Sequence, residues 1–473
     1  MIRALLIKEL RLLWRHRTAG WLALTLLVAV PAAALLAVQR VERFEFERHS
    51  AQAADRVLWD AQGVRNPHAA AHFSRYAFKS MSPLAAFDPG VVDHAGLAVW
   101  MEAHQQSPPV YRRAEDQAAD LRLAALTPAW LLQVVAPLLL LIALHPAIAG
   151  EREDGTFRHL AAAGAGTAAV VAGKLGAAVA ALAVVLLPAV AAALVVAASC
   201  AHTPALPDLA LRSAGLLLAY GGGLLIFALV SLGVSALCRQ RRTALLALMV
   251  LWLATAIVVP RLGTDLALER HPEPDAQTFR TALAASADSL WSDRAFQSRQ
   301  LAQVLVRHGV ERAQDLPFNY LGLQLQLSEE RAQPRFDAFY ASMSARHAAQ
   351  ESVLARVAWA SPGLALGVLS SGLAASDRLH HTAFVRDAEL QRRRIMKQLN
   401  ADIQAHAGHD GTGYTADERL WRAVADFQHT PVPFTLAQAP YAETALTLLV
   451  QLIAALAFAW FAVARAHLRS IAE

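Results

Sequence analysis

The chain has 473 residues, of which 56% are hydrophobic and only 17% charged. A soluble chain of this length would form two or three domains with roughly 25% charged residues, so the composition points to a membrane protein with a substantial polar portion. The two cysteines, Cys200 and Cys238, are too few and too far apart for a disulfide framework or a zinc ribbon.

In chain order, residues 1–19 come first. Ile2, Leu5, Leu6, Leu10 and Leu13 share one helical face, with Arg3, Lys8, Arg11 and Arg15 around it. This pattern predicts an amphipathic helix lying on the membrane surface, retained ahead of the first span rather than cleaved as a signal peptide. Six apolar runs follow, at 20–38, 128–149, 175–200, 209–237, 243–260 and 443–464. Each is near or above the roughly 18–20 residues needed to cross a hydrocarbon core of about 30 Å. Pro31, Pro137 and Pro188 fall inside these runs, where neighbouring helices can satisfy the backbone groups that a kink releases. In the fourth run, Gly221, Gly222, Gly223, Ser231, Gly233 and Ser235 predict close helix packing.

Two long segments separate the runs, 39–127 and 261–442. Phe279, Leu283, Ala287 and Leu290 recur at helical spacing, as do Phe384, Ala388, Ile395 and Leu399. Alternating β-branched residues are nearly absent. The expectation is an all-α polytopic protein with a mostly helical external domain built from both insertions, and with spans one and six continuing outward as long helices. The apolar stretch 357–375 holds Ser361, Pro362, Gly363, Ser370, Ser371 and Gly372, which makes it a poor span; it reads as a buried or interfacial helix.

Positive charge sets the orientation. Arg3, Lys8, Arg11, Arg15 and Arg17 precede span one; Arg152, Arg158 and Lys174 lie in the loop 150–174; "CRQRR" joins spans four and five; Arg465 and Arg469 lie in the tail 465–473. The positive-inside rule puts these segments and both termini in the cytoplasm, and the composition suggests a bacterial inner membrane. The net charge of +5 reflects this topology and calls for no nucleic acid.

The chemistry of an enzyme is missing. "VVAGKLG" fails as a phosphate loop, because Ala168 stands at the first glycine position and Leu175 at the hydroxyl position. Lys174 reads instead as an anchor at the mouth of span three. His68 and His72 are one helical turn apart, His380 and His381 are adjacent, and His406 and His409 share "HAGHD". None sits in a recognised metal motif, and no G-x-S-x-G elbow is present. No catalytic, cofactor or metal residue is therefore assigned.

Three stretches carry a resemblance. "KELRLLWRHRTAGW" resembles the opening amphipathic helix of type-2 ABC exporter permeases. "GEREDGTFRHLAAAGAGTAAVVAGKL" resembles their segment after span two, with Phe157 where many relatives have leucine. "SLGVSALCRQRRTALLALMVL" is similar to their span four, basic loop and span five. "SPLAAFDPG" and residues 361–400 further resemble a bacterial permease group with large helical periplasmic insertions. The resemblance implies a permease subunit, for export or envelope remodelling, in contact with membrane lipids. It would pair with a second permease, identical or related, and with cytoplasmic ABC ATPase subunits that hydrolyse ATP in its place. The loop after span two would be the coupling element, with Glu151, Arg152, Glu153, Asp154, Gly155, Thr156 and Phe157 contacting the ATPase. The competing reading is a mechanical transmitter or sensor that grips a periplasmic protein partner and moves nothing through the bilayer.

Overall fold

The computed structural model describes residues 1–15, 17–113, 126–200, 206–291 and 293–472. Among these residues the apolar runs fold into six helices long and apolar enough to cross a bilayer, and the protein is an all-α polytopic membrane protein. Helix α1 (Ile2–Arg15) precedes the first of them, α2 (Arg17–Asp60). The next crossing helix is α4 (Pro128–Glu153), then α6 (Thr167–Cys200), α7 (Leu206–Leu237), α8 (Arg241–Arg270) and α15 (Ala442–Ala472). The short α3 (Pro67–Phe73) and α5 (Thr156–Ala162) fall between them. Helix α1 docks closely on α6: a Cβ on Gly173 would stand 2.7 Å from Leu5 Cβ. Leu5 is buried in this contact, while Ile2 and Leu10 stay exposed.

Two crossing helices contain a π-helical turn, Leu131–Val135 in α4 and Ala254–Val258 in α8. Each stands just ahead of a proline, Pro137 or Pro260. A helical proline clashes with the carbonyl four residues before it, here that of Gln133 or Ala256, both inside the widened turn. The extra residue per turn relieves that clash without breaking the helix.

Helix α2 continues well past its apolar run, as expected, but the second extended helix is α8 rather than α15. Pro431, Pro433 and Pro440 precede α15 and cannot donate to a helical ladder, whereas "LGTDLALER" after Pro260 is free to propagate one.

The second insertion holds α9 (Ala276–Trp291), α10 (Arg294–His308), α11 (Tyr320–Val357), α12 (Pro362–Leu373), α13 (Arg378–His406) and α14 (Glu418–Ala423). Helix α12, within the ambiguous stretch 357–375, has 12 residues and spans roughly 18 Å, too short for a crossing. It is buried against α7 and α15, with Leu366 and Leu369 in the same core as Phe87, Tyr220 and Leu224. Ser361 caps its start, accepting from Leu364 N at 3.1 Å.

The two insertions share a core. Trp59, Ala70, Val99 and Met101 from the first pack with Phe384, Ala388, Ile395, Leu399 and Trp421 from the second. All four α13 positions read as one helical face are therefore buried. Phe279 and Leu283 of α9 pack on Phe336 of α11; the side chains of Ala287 and Leu290 lie outside the described residues. A small antiparallel ribbon, β1 (Tyr76–Phe78) with β2 (Ala98–Trp100), forms despite the lack of β-branched alternation. Tyr76 stacks across it on Trp100 at 6.2 Å, an aromatic cross-strand pair that stabilises a short ribbon.

Candidate functional site

The charged stretch after span two begins with a disturbance in α4. Pro146 has no N–H for the carbonyl of Ile142, and His145 Nδ1 takes that oxygen at 2.7 Å. Ser235 of α7 accepts from the N–H groups of Ile148 and Ala149, both at 3.0 Å, and donates to His145 O at 2.7 Å. This pins the end of α4 to α7. The chain then turns at Gly155, whose φ of +75° suits glycine, and restarts as α5.

The seven residues 151–157 divide into two sets. Glu151, Arg152 and Phe157 face the protein. Lys174 of α6 lies 3.0 Å from Glu151 and 2.9 Å from Glu9 of α1, and Lys8 bonds both carboxylates. Arg152 donates to the carbonyls of Ala236 at 2.7 Å and Cys238 at 3.2 Å, neutralising the C-terminal end of α7. Phe157, 1% exposed, sits among Leu5, Ile148, Val170, Val171 and Val463. Glu153, Asp154 and Thr156 are exposed, beside exposed Arg158 and His159. Arg241 at the start of α8 steadies this rim: its backbone N–H donates to Glu153 at 2.9 Å and its guanidinium pairs with Asp154.

Sequence reasoning missed the partners Glu9 and Arg241, and it misplaced Lys174. Lys174 is not an interfacial anchor; its side chain is 4% exposed, enclosed by two carboxylates. The signal was weak: Lys174 is one of four lysines in the chain, and Glu9 is the only acid near the N-terminus. The structure joins α1, α4 and α6 at one point through two acids and two bases.

A second polar cluster lies at the insertion end of the bundle. Gln133 of α4 donates to Tyr220 Oη of α7 at 2.8 Å, and Ser370 of α12 bonds the same oxygen at 2.8 Å. Asp88, from the loop between the ribbon strands, is buried beside them, and burial pushes its carboxyl up. Arg212 of α7 is buried nearby. It donates to Asp208 at 2.6 Å, to the carbonyls of Gly372 at 3.1 Å and Leu373 at 3.4 Å, and to that of Val432 at 2.7 Å. The small residues of α7 serve packing in part: Gly223 meets Leu366 and Gly233 meets Phe458, while Gly221 and Gly222 face open space.

Among the described residues, one group of metal-ligating side chains converges. His68 and His72 of α3 meet His104, with ring centroids 4.9–5.1 Å apart. Burial, then the neighbouring imidazoles, hold His68 down to about 4. His104, 32 residues beyond His72, was not visible as a partner in the linear chain.

Residues 292–430 match a family described as a domain of unknown function (DUF3526). The match runs from the start of α10 past α14 and covers none of the six crossing helices. No curated protein and no solved structure matches the chain.

Proposed function

We propose that this chain is the permease subunit of an ATP-driven transporter of the type-2 exporter class, active in export or envelope remodelling. In this reading it sits in a bacterial inner membrane with both termini cytoplasmic. It works beside a second permease, and separate cytoplasmic ATPase subunits drive it through residues 151–157. One observation carries the reading: the patch is anchored in the protein on one side and exposed on the other, where Arg241 holds its acids in place. Glu151, Arg152 and Phe157 tie it to α1, α6 and α7, while Glu153, Asp154 and Thr156 point outward. A solvated turn needs no such foundation. A joint that receives a push needs both a charged outer face to set register and a rigid inner one to pass the load on.

In this reading the residues of the patch divide the work. Glu153, Asp154 and Thr156 meet the ATPase; Glu151, Arg152 and Phe157 hold the joint in shape. The E153K/D154K variant should insert normally yet lose ATPase co-purification and ATP turnover in membranes. Wild-type levels of both would overturn the reading.

The alternative, a transmitter that moves no substrate, draws support from α12 and Phe87, which fill the insertion end of the bundle. Stimulation of ATP turnover by a protein partner, with none by lipids or small molecules, would favour it.

A further inference from the structure

The three-histidine cluster belongs to the insertions and plays no part in the proposed coupling. Its ligand nitrogens all lie within 4.8 Å of one another. A tetrahedral ion with bonds of about 2.0–2.1 Å would set them about 3.4 Å apart, a closure within reach of side-chain rotation. His68 and His72 are four residues apart on α3, so both rings project from one face.

The backbone around the cluster is held firmly. Ala103 N donates to Ala71 O at 3.2 Å, Met101 N donates to Arg75 O at 2.9 Å, and Ser74 Oγ donates to Met101 O. These bonds sew the segment 101–103 along the end of α3. His104 then takes φ +71°, a left-handed conformation uncommon for a residue with a side chain. Such conformations persist where the surrounding structure enforces them, and they cluster at binding sites.

Behind His104 stands a carboxylate. Glu329 of α11 accepts from His104 N at 2.7 Å, and its Oε1 lies 3.5 Å from His104 Nδ1. With Nδ1 beside that carboxylate, Nε2 is the His104 nitrogen available to an ion. Glu329 is in turn held by Arg392 at 2.9 Å, and Arg392 by Glu389 at 2.8 Å, all three buried. A carboxylate on the far nitrogen is the usual support of a metal-bound imidazole, fixing both tautomer and ring orientation.

We propose that His68, His72 and His104 bind a divalent first-row transition-metal ion of the zinc type, with Glu329 as the positioning residue for His104. Three neutral imidazoles suit zinc, copper, nickel or cobalt and leave a fourth position open to water or a further ligand. Hard ions such as magnesium and calcium, which prefer oxygen, are not held.

The test uses the full chain, purified in detergent with a tag that contains no histidine and stripped with a chelator. Cobalt(II) is titrated and followed by its visible absorption, then displaced with zinc. The expected result is one ion per chain with a tetrahedral-type spectrum, and no displacement by magnesium. H72A changes an exposed side chain and should keep the elution profile of the parent; it and H104A should lose the spectrum. E329Q should weaken binding by about 10–100-fold, and H406A should leave it unchanged. Absence of binding by the parent chain, or equal binding by H72A and H104A, would overturn the site. Undiminished affinity in E329Q would overturn the positioning role alone.

Discussion

Trp59 and Trp421 clasp each other across the two insertions. Their rings meet edge to face at 5.8 Å, and both are fully buried. Trp59 Nε1 donates to Trp421 O at 2.9 Å, while Trp421 Nε1 donates to Gly63 O at 2.8 Å. Each indole thus satisfies its polar edge on backbone supplied by the other's side of the interface. This is the condition under which a buried tryptophan contributes its full apolar area.

The Trp421→Ala variant should therefore destabilise the insertion domain by about 3–5 kcal/mol, since it opens a large cavity and leaves Gly63 O without its donor. Hydrogen exchange of α3 and α13 in the full chain would read the loss. Protection equal to the parent's would show that the two insertions do not depend on this clasp.

At the other end of the protein, Lys174→Met should loosen α1. It leaves Glu9 and Glu151 sharing Lys8 alone in a poorly solvated site, at a cost of about 3 kcal/mol, the low end for a broken buried pair because one cation remains. The reporter is a cysteine at Leu5 in a C200S/C238S background. It should be shielded with Lys174 in place and reactive to a thiol reagent in the K174M variant. Equal shielding in both would mean that apolar docking on Gly173 holds α1 unaided.

Arg212 closes the C-terminal carbonyls of α12, and Arg212→Leu should lower thermal stability by about 3–5 kcal/mol. The substitution removes the donor to the oxygens of Gly372, Leu373 and Val432 and leaves Asp208 with the N–H of Phe434 alone. R212K restores the charge without the fork of donors and should recover only part of the loss. Full recovery in R212K would show that charge alone matters there.

Burial holds the Lys79 ammonium down to about 8 from its ordinary 10.5, against the opposing pull of Asp377. Between those values the unfolded chain keeps a proton that the folded chain has released. Stability therefore rises with pH from about 8 to 10.5 through this group. Lys79→Met removes the increment. The difference in denaturation midpoint between K79M and the parent should shrink as pH increases across that window. Parallel pH curves for the two proteins would refute the assignment.

The local signals in the sequence were enough for the elements whose fate depends on a short window. Phe384, Ala388, Ile395 and Leu399 announce a buried face by spacing alone, and all four are buried in α13. The stretch 357–375 is about long enough to cross, but Ser361, Pro362, Gly363, Ser370, Ser371 and Gly372 already argued against a crossing, and α12 is a 12-residue buried helix. The outward extension was legible for α2 but misassigned to span six. The prolines that stop α15 were visible, yet nothing local indicated that α8 would run on past Pro260 by way of a π-helical turn.

The candidate sites show the same divide more sharply. The charges at 151–154 mark a loop because the bilayer rejects them, at roughly 3 kcal/mol each. Which of them face inward depends on Glu9 and Lys174, which arrive from two other helices. His68 and His72 are visible as a pair at one helical turn; His104 and Glu329 join them only in the folded chain. The sequence by itself determined what solvation and periodicity can decide: six crossing helices, a helical insertion domain and the exclusion of the charged turn from the bilayer. Only the tertiary structure decided which buried charges are paired, which carboxylate stands behind which imidazole and how the two insertions close on each other. Those depend on contacts between residues tens to hundreds of positions apart, and local pattern carries no record of such distances.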